Sequence, residues 1–340
     1  MSANLFGTRF CVMTFGESHG SALGAVVDGC PAGVRFDEEL LRTNLRRRRP
    51  GQALTSPRQE ADEVEVLSGV FEGRTLGTPV AMLVRNHDAR SQDYDVLRME
   101  PRAGHADRIW KDKFGVHDHR GGGRSSGRET VARVMAGSLA QMFVQQEVPG
   151  VTVKAYVLQM GPLRLTEEER KRAPSADIES FVARFPSADR SEQVRKLLSE
   201  AQECGESWGG FAELRLTGVP PGLGQPVFHK LKADLAAALL SVGATCGVEI
   251  GSDFEPAQAG TSFHSSRQVY GGIQGGISTG EEILARVAFK PTSSILDVAK
   301  RGRHDPCIIP RAIPVLESMV WLVLADQLLW QRGDKTSNAL

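Results

Sequence analysis

Aromatic residues make up only 6% of the 340-residue chain, with Tyr at 3 and Trp at 4. That leaves few rings on which the bases of a single-stranded nucleic acid could stack. Neither sign of charge is in excess: Lys plus Arg is 41, Asp plus Glu is 41, and the formal net charge is +0. A general nucleic-acid binder carries a basic surplus, so any cationic cluster here must be local and serve a smaller anion. The five cysteines, Cys11, Cys30, Cys204, Cys246 and Cys307, include no CxxC pair. Their odd number and scatter exclude a disulfide framework and predict free thiols in a reducing compartment. No stretch approaches the ~20 apolar residues of a membrane span, and the opening "MSANLFGTRFCVMTFGESHG" lacks the apolar run of a signal peptide. The chain is read as cytoplasmic, without membrane contact. Neither a Pro/Ser-rich linker nor a repeat period divides it. One domain over 1–340 is expected, with 163–207 as a polar peripheral segment and 333–340 as a frayed tail.

Glycine, by contrast, is plentiful at 36 residues, which favours tight turns and close approach of backbone to ligands. Strand formers fill "TRFCVMTFG" (8–16) and "ALGAVVDGCPAG" (22–33). "DEVEVLSGVFEG" and "TPVAMLVRN" predict a hairpin turning at 72–77. "DEELLRTNLRRRRPG" opens on acids and closes on bases, the charge order that suits a helix dipole, with Pro50 as the stop. A short helix is expected in "ADRIWKDKFG". A long one runs from Glu129, where Val131, Val134, Met135, Leu139 and Met142 recur at helical spacing. "VTVKAYVLQM", "GGFAELRLTGVP" and "ILARVAFKP" read as strands, and "QPVFHKLKADLAAALLSV" and "IPVLESMVWLVLADQLLWQR" as helices. Hairpins interleaved with long helices predict an α+β fold, helices packed against antiparallel sheets, in place of a doubly wound βαβ sheet.

"GVHDHRGGGRSSGRET" (115–130) is the most suggestive loop. It lacks the G-x-x-x-x-G-K-[ST] of a nucleoside-triphosphate loop and the G-x-G-x-x-G of a dinucleotide fold. It precedes a helix, so Ser125, Ser126 and the following N–H groups have the chemistry to hold an anion; a flexible turn with a helix cap is the alternative. In "GESHG" (16–20), His19 between glycines reads either as a cleft-exposed general acid or base or as a plain turn residue. Ser18 beside it does not make a hydrolase triad with His19, because neighbours in sequence rarely face each other, and although "GESHG" fits G-x-S-x-G, a strand follows it here in place of the helix of a nucleophile elbow. "RAGHADRIW" offers His105, and "GRHDPC" offers Arg303, His304 and Asp305. His117 and His119 in "VHDH" lack a third ligand at metal-site spacing, so no metal is expected. "FKPTSSI" joins Lys to small hydroxyls, which suits phosphate, and "YGGIQGGISTG" is a glycine-dense turn. "LRRRRPG" reads as a helix end with favourable charge. Together these loops describe a cationic, multiply anchored pocket equipped for proton transfer, with no strong base for a non-acidic C–H bond, and hence a cofactor.

The same segments, in this order, resemble the chorismate synthase family: "TFGESHGSALGAVVDGCPAG", "RRRRPGQ", "SGVFEGRTLGTPV", "NHDARSQDYD", "GHAD", "RGGGRSSGRETVARVMAG", "GVPPGLGQPVF", "GVEIG", "GGIQGGISTGEEI", "KPTSSI" and "GRHDPCIIPRAIPVLESM". The resemblance covers nearly all of the chain except 163–207. It implies a β-α-β sandwich assembled as a homotetramer. It also implies the 1,4-anti elimination of phosphate from 5-enolpyruvylshikimate 3-phosphate, with reduced FMN required and no net redox change. By the same resemblance Arg48, Arg58, Arg102, Arg128 and Arg303 fall on substrate-contacting positions. His19 matches the histidine that protonates the departing phosphate, His105 the one that protonates reduced flavin near N1, and Asp305 the acid that works with flavin N5 on the ring proton. Ser18 and Ser126 match active-site serines. Arg124, Ser125, Ser126, Gly243, Ala244, Gly275, Lys290, Pro291, Thr292, Ser293, Ser294 and Arg303 fall on FMN positions.

Departures from the family pattern are Leu54 in place of an arginine, Ala103 in "RAGHAD", Gly243, Cys246, Tyr270, and "TSFHSSRQV" in place of an Asn/Asp-rich loop. Loss of the arginine at Leu54 removes one anion contact, worth ~1.5–3 kcal/mol. The long insertions of family members that reduce their own flavin are absent, which implies a monofunctional enzyme served by an external flavin reductase. Two rival readings are another FMN-dependent enzyme on this scaffold with altered substrate, and an RNA-binding protein using "LRRRRPG" and "RGGGR".

Overall fold

The computed structural model describes residues 3–49, 62–86, 105–116, 118, 120–251, 270–293 and 305–334. Two five-stranded antiparallel sheets enclose a layer of helices. The first sheet uses β1 (Leu5–Phe6), β2 (Cys11–Phe15), β3 (Ala22–Asp28) and β4 (Val64–Ser68). A small hairpin follows, β5 (Val70–Phe71) and β6 (Arg74–Thr75), and then β7 (Val80–Arg85) returns to the sheet. The sheet order is β1-β2-β3-β7-β4. Alternation sets its inner face: Leu23, Ala25 and Val27 on β3 and Val80, Met82 and Val84 on β7 are all buried. The expected hairpin between 63 and 86 is present as the β4–β7 pair. Its connection differs in folding into a hairpin of its own, because Glu72 and Gly73 both take positive φ there.

The second sheet contains β8 (Thr152–Met160), β9 (Leu163–Arg164), β10 (Gly210–Thr217), β11 (Thr245–Ile250) and β14 (Ile283–Phe289), in the order β11-β14-β10-β8-β9. A separate hairpin, β12 (Ile273–Gln274) with β13 (Ile277–Ser278), precedes β14. The helices are α1 (Glu38–Arg48), α2 (Asp107–Phe114), α3 (Thr130–Glu147), α4 (Glu167–Arg172), α5 (Ser191–Cys204), α6 (Leu231–Leu240) and α7 (Ile309–Gln331). α3 packs on β2, β3 and β7, α7 packs on β8 and β10, and the two helices pack on each other. The expected helical core between antiparallel sheets is therefore the observed architecture. α3 and α7 are buried almost all round, as a central layer must be. They approach closely because Gly137 has no side chain; a Cβ there would lie 2.4 Å from Ser318 Cβ.

α7 is as long and apolar as a membrane span, with 94% of its most apolar window buried inside the protein. The expectation that no stretch approaches that length is corrected here. The helix is apolar because the second sheet, α1, α3 and α6 cover it, and its polar side chains find partners in the interior. Asp326 Oδ1 accepts the backbone N–H groups of Thr8 at 3.0 Å and Phe10 at 2.8 Å. The helix expected from 225 starts only at Leu231. Pro226 supplies no N–H, and Gln225 N donates to His229 O at 2.8 Å, closing a loop that leaves Val227 and Phe228 exposed. "GVEIG" forms most of β11, a strand the pattern did not announce. Residues 163–207 open on β9 and continue through α4 and 3-10 turns to α5, whose Val194, Leu198 and Ala201 are buried. The predicted tail beyond 334 lies outside the described residues.

Candidate active site

The β2–β3 turn carries Ser18 and His19. Gly16 makes it possible: its φ is +92°, and a Cβ would stand 2.2 Å from Ala22 O. Asn86, just after β7, gathers the loop by donating from Nδ2 to the carbonyls of Gly20 (2.8 Å), Ser18 (3.2 Å) and Glu17 (3.4 Å). Ser18 Oγ in turn donates to Arg120 O at 3.3 Å, seating the glycine-rich segment on the turn. His19 is 8% exposed. The expectation of an open, cleft-facing histidine is therefore modified, since the loop that carries it is drawn down under its neighbours.

The glycine-rich segment is not a plain loop. It winds into two 3-10 turns, Arg120–Ser125 and Gly127–Glu129. Ser125 Oγ donates to Gly122 O at 2.7 Å, and Ser126 Oγ accepts from Arg128 N at 3.3 Å. Arg124 donates to Thr14 Oγ1 at 2.6 Å and to Gly16 O at 3.1 Å, tying the segment to β2.

Arg128 leaves this segment into the interior. Its Nη1 pairs with Asp62 Oδ1 and its Nε donates to Asn86 Oδ1 at 3.2 Å. Arg48, at the end of α1, stands with Nη2 3.9 Å from Asp62 Oδ2. The side chains of Arg48, Arg128 and Asp62 are 1%, 4% and 0% exposed. Two buried guanidinium groups thus flank one carboxylate, and guanidinium groups suit an anionic ligand.

A second cluster forms at the start of α7. Asp305 Oδ2 accepts from Arg311 Nη1 at 2.6 Å. Asp305 O accepts from Ser207 Oγ at 3.3 Å, and Ser207 Oγ accepts from Thr292 N at 3.2 Å. Lys290 N donates to Ala244 O at 3.0 Å, bringing the "KPTSSI" segment to the Gly243–Ala244 loop. The hydroxyl of Thr292 is buried with no hydrogen-bond partner among the described residues, and a Cβ on Gly243 would meet nothing within 4 Å. An unmatched hydroxyl, a lysine and an open glycine fit a phosphorylated, planar ligand. Burial pushes the neighbouring Cys307 thiol up to about 12, which removes it as a nucleophile at neutral pH.

The two clusters share one end of the helical layer. Arg332, just beyond α7, pairs with Glu147 at the end of α3, so α3 and α7 run the same way. Their starts, bearing Arg128 and Asp305, therefore lie together. Gly275 does not join them. It turns the β12–β13 hairpin, whose Ser278 O accepts from Gly222 N, and Gln331 at the far end of α7 reaches Pro221 O beside it. His105 stands two residues before α2, half-buried. Arg58, Arg102, Ser294, Arg303, His117, His119 and His304 lie outside the described residues, as do Leu54 and Ala103. Among the described residues no group of three metal ligands forms, and all five cysteines are free thiols.

The sequence model of chorismate synthase matches residues 10–329 of this chain. The chain belongs to the chorismate synthase family. It is 63% identical to the chorismate synthase of Bdellovibrio bacteriovorus over 341 residues, covering 98% of this chain and 100% of the relative. It is 45% identical to that of Methanosarcina barkeri, covering 97% of each. A crystal structure of a chorismate synthase superposes with a TM-score of 0.75 at 30% identity, covering 96% of this chain and 94% of the other. Chorismate synthases are flavin-dependent carbon–oxygen lyases of aromatic biosynthesis. Four residues of the site escaped the sequence reading: Asp62, Asn86, Arg133 and Ser207. Arg133 bonds Glu129 at 3.0 Å and Ser241 Oγ at 2.6 Å, linking the start of α3 to the Gly243–Ala244 loop.

Proposed function

We propose that this chain converts 5-enolpyruvylshikimate 3-phosphate to chorismate and phosphate by 1,4-anti elimination, with reduced FMN required and no net redox change. The observation that carries this reading is the buried Arg48–Asp62–Arg128 group, joined through Asn86 to the Ser18–His19 turn. The substrate carries a phosphate and two carboxylates, and guanidinium groups bind both in bidentate fashion. Arg48 and Arg128, with Arg58, Arg102 and Arg303, orient those anions and stabilise charge developing on the leaving group. His19 delivers a proton to the departing phosphate, and Ser18 and Ser126 line its approach. Asp305, aligned by Arg311, receives the ring proton. His105 holds a proton near flavin N1. Arg124, Ser125, Ser126, Gly243, Ala244, Lys290, Pro291, Thr292, Ser293, Ser294 and Arg303 hold the FMN. Reduced FMN held by these residues would supply transient electron density with no net redox change.

The chain works as a single domain in the cytoplasm and receives its reduced flavin from an external reductase. An apolar outer face on the first sheet supports a homotetramer: Met13 and Phe15 of β2 are 44% and 42% exposed, a patch of the kind that marks self-association. The deciding experiment is anaerobic incubation of the protein with chemically reduced FMN and 5-enolpyruvylshikimate 3-phosphate, following phosphate release and the diene absorbance of chorismate. Absence of both products overturns the reading. Rapid FMN reduction by NADPH with the pure protein overturns the need for an external reductase.

A further inference from the structure

The polar segment 163–207 showed no function in the sequence, yet it sends one side chain to the base of the site. Arg184 is 3% exposed and reaches three groups at once. Its Nη2 donates to Arg47 O at 2.8 Å, its Nη1 donates to Pro310 O, and its Nε donates to Glu179 Oε1 at 3.0 Å. Arg47 O lies in the last turn of α1. Pro310 O would ordinarily accept from the residue four positions on, but that residue is Pro314, which has no N–H. One planar guanidinium thus serves two carbonyls that belong to different helices.

The backbone is bent to put it there. Ala183 and Arg184 take φ of 52° and 54°, a left-handed conformation that favours glycine, and neither residue is glycine. Charges close the arrangement. Glu179 also accepts from Arg47 Nε at 2.7 Å, and Arg47 Nη1 reaches Glu317 of α7 at 2.6 Å. Glu317 Oε1 accepts from Ala155 N of β8 at 2.9 Å, fastening the set to the second sheet. The next residue after Arg47 is Arg48, which points at Asp62. Asp305 stands five residues before Pro310.

We propose that Arg184 is a positioning residue for the reaction. By pinning the end of α1 to the start of α7, it fixes the distance between Arg48, which holds the substrate's anions, and Asp305, which takes its proton. This inference rests on the function proposed above. Arg184→Lys keeps the charge but offers a single nitrogen where the fork met three acceptors. With folding verified by circular dichroism and a cooperative melt, the variant is expected to show a KM for 5-enolpyruvylshikimate 3-phosphate raised at least ~10-fold, because Arg48 is no longer held in register. In the Arg184→Lys/Arg48→Lys double variant the two effects should fail to multiply, since one acts through the other.

A KM within twofold of wild type overturns the proposal, and so do fully multiplicative effects. A kcat that falls only with the folded fraction, at unchanged KM, also overturns it, because that is what loss of stability alone produces. Should Arg184→Lys not fold, Glu179→Gln loosens the same guanidinium from a side chain that is 40% exposed. It should raise KM about threefold, and an unchanged KM refutes the idea. Wild-type turnover in the same assay separates the two claims. If wild type is inactive the proposed function fails; if wild type and Arg184→Lys are equally active, only the role of Arg184 fails.

Discussion

Asp62 offers a sharp test of the idea that the interior holds two cations for an incoming anion. Its carboxylate is fully buried and paired with Arg128 at one oxygen, with Arg48 3.9 Å from the other. Asp62→Ala leaves both guanidinium groups buried without it. Breaking a buried pair from one side costs ~3–5 kcal/mol. For 340 residues, an unfolding entropy of about 2.1 cal/mol/K per residue gives roughly 0.7 kcal/mol/K, so the melting temperature should fall by ~4–7 °C. An anion that binds the folded state recovers part of the loss by linkage. Thermal scans with and without millimolar inorganic phosphate should therefore show phosphate stabilising Asp62→Ala more than wild type. A melting shift under 1 °C, or equal phosphate effects on both proteins, refutes the reasoning.

Three further outcomes are expected. Replacing His19, His105 or Asp305 by Ala should each slow turnover ~10²–10⁴-fold, the range for a lost acid or base, with FMN binding retained by fluorescence titration; undiminished turnover removes that residue from the scheme. At pH 8, dithionitrobenzoate should label the exposed Cys204 and Cys246 quickly and spare Cys30 and Cys307, whose thiols burial pushes up to about 12; peptide mapping that finds either buried thiol in the fast phase contradicts this. Glu213 supplies a pH dependence. Burial alone would raise its carboxyl, but the Tyr156 hydroxyl and the charges of Arg170, Arg215 and Arg286 outweigh that and hold it below the ordinary 4.5. A lowered carboxylate stabilises the fold fully above its unfolded value and ceases to as pH falls through the folded one. Glu213→Gln should therefore lower stability at pH 7 and flatten its decline below about pH 4.5; parallel melting-versus-pH curves for the two proteins would sink the claim.

The legible parts of the fold are those where local chemistry and tertiary packing agree. α1 was readable because Glu38 and Glu39 open it and Arg46, Arg47 and Arg48 close it, and its buried Leu41 and Leu45 lie one helical turn apart. β3 and β7 were readable from alternating apolar residues. β11 was not, because its sequence TCGVEI carries a glycine at a register shift and takes its strand form from pairing with β14. The first turn expected of α6 failed for the opposite reason: apolar Val227 and Phe228 satisfy the helical period, but Pro226 and the Gln225–His229 bond close a loop first. Such outcomes depend on partners distant in sequence, which periodicity does not encode.

The site divides along the same line. Residues that we propose meet a ligand, such as His19, Arg48 and Arg128, sit in loops and helix ends whose composition is itself unusual, and resemblance to a family nominates them. Residues that hold those groups in place look ordinary in sequence. Asp62 reads as the polar start of a strand, Asn86 as the end of one, and Arg184 as one charge in a polar stretch. Their function exists only because Asn86 meets three carbonyls of one turn and Arg184 meets two carbonyls of separate helices. One signal was nonetheless present. Pro314 within a strongly helical run guarantees an unbonded carbonyl four residues earlier, and a buried carbonyl needs a donor. Pro314 thus required a donor for Pro310, and the fold supplies it from Arg184 in the segment whose sequence announced least.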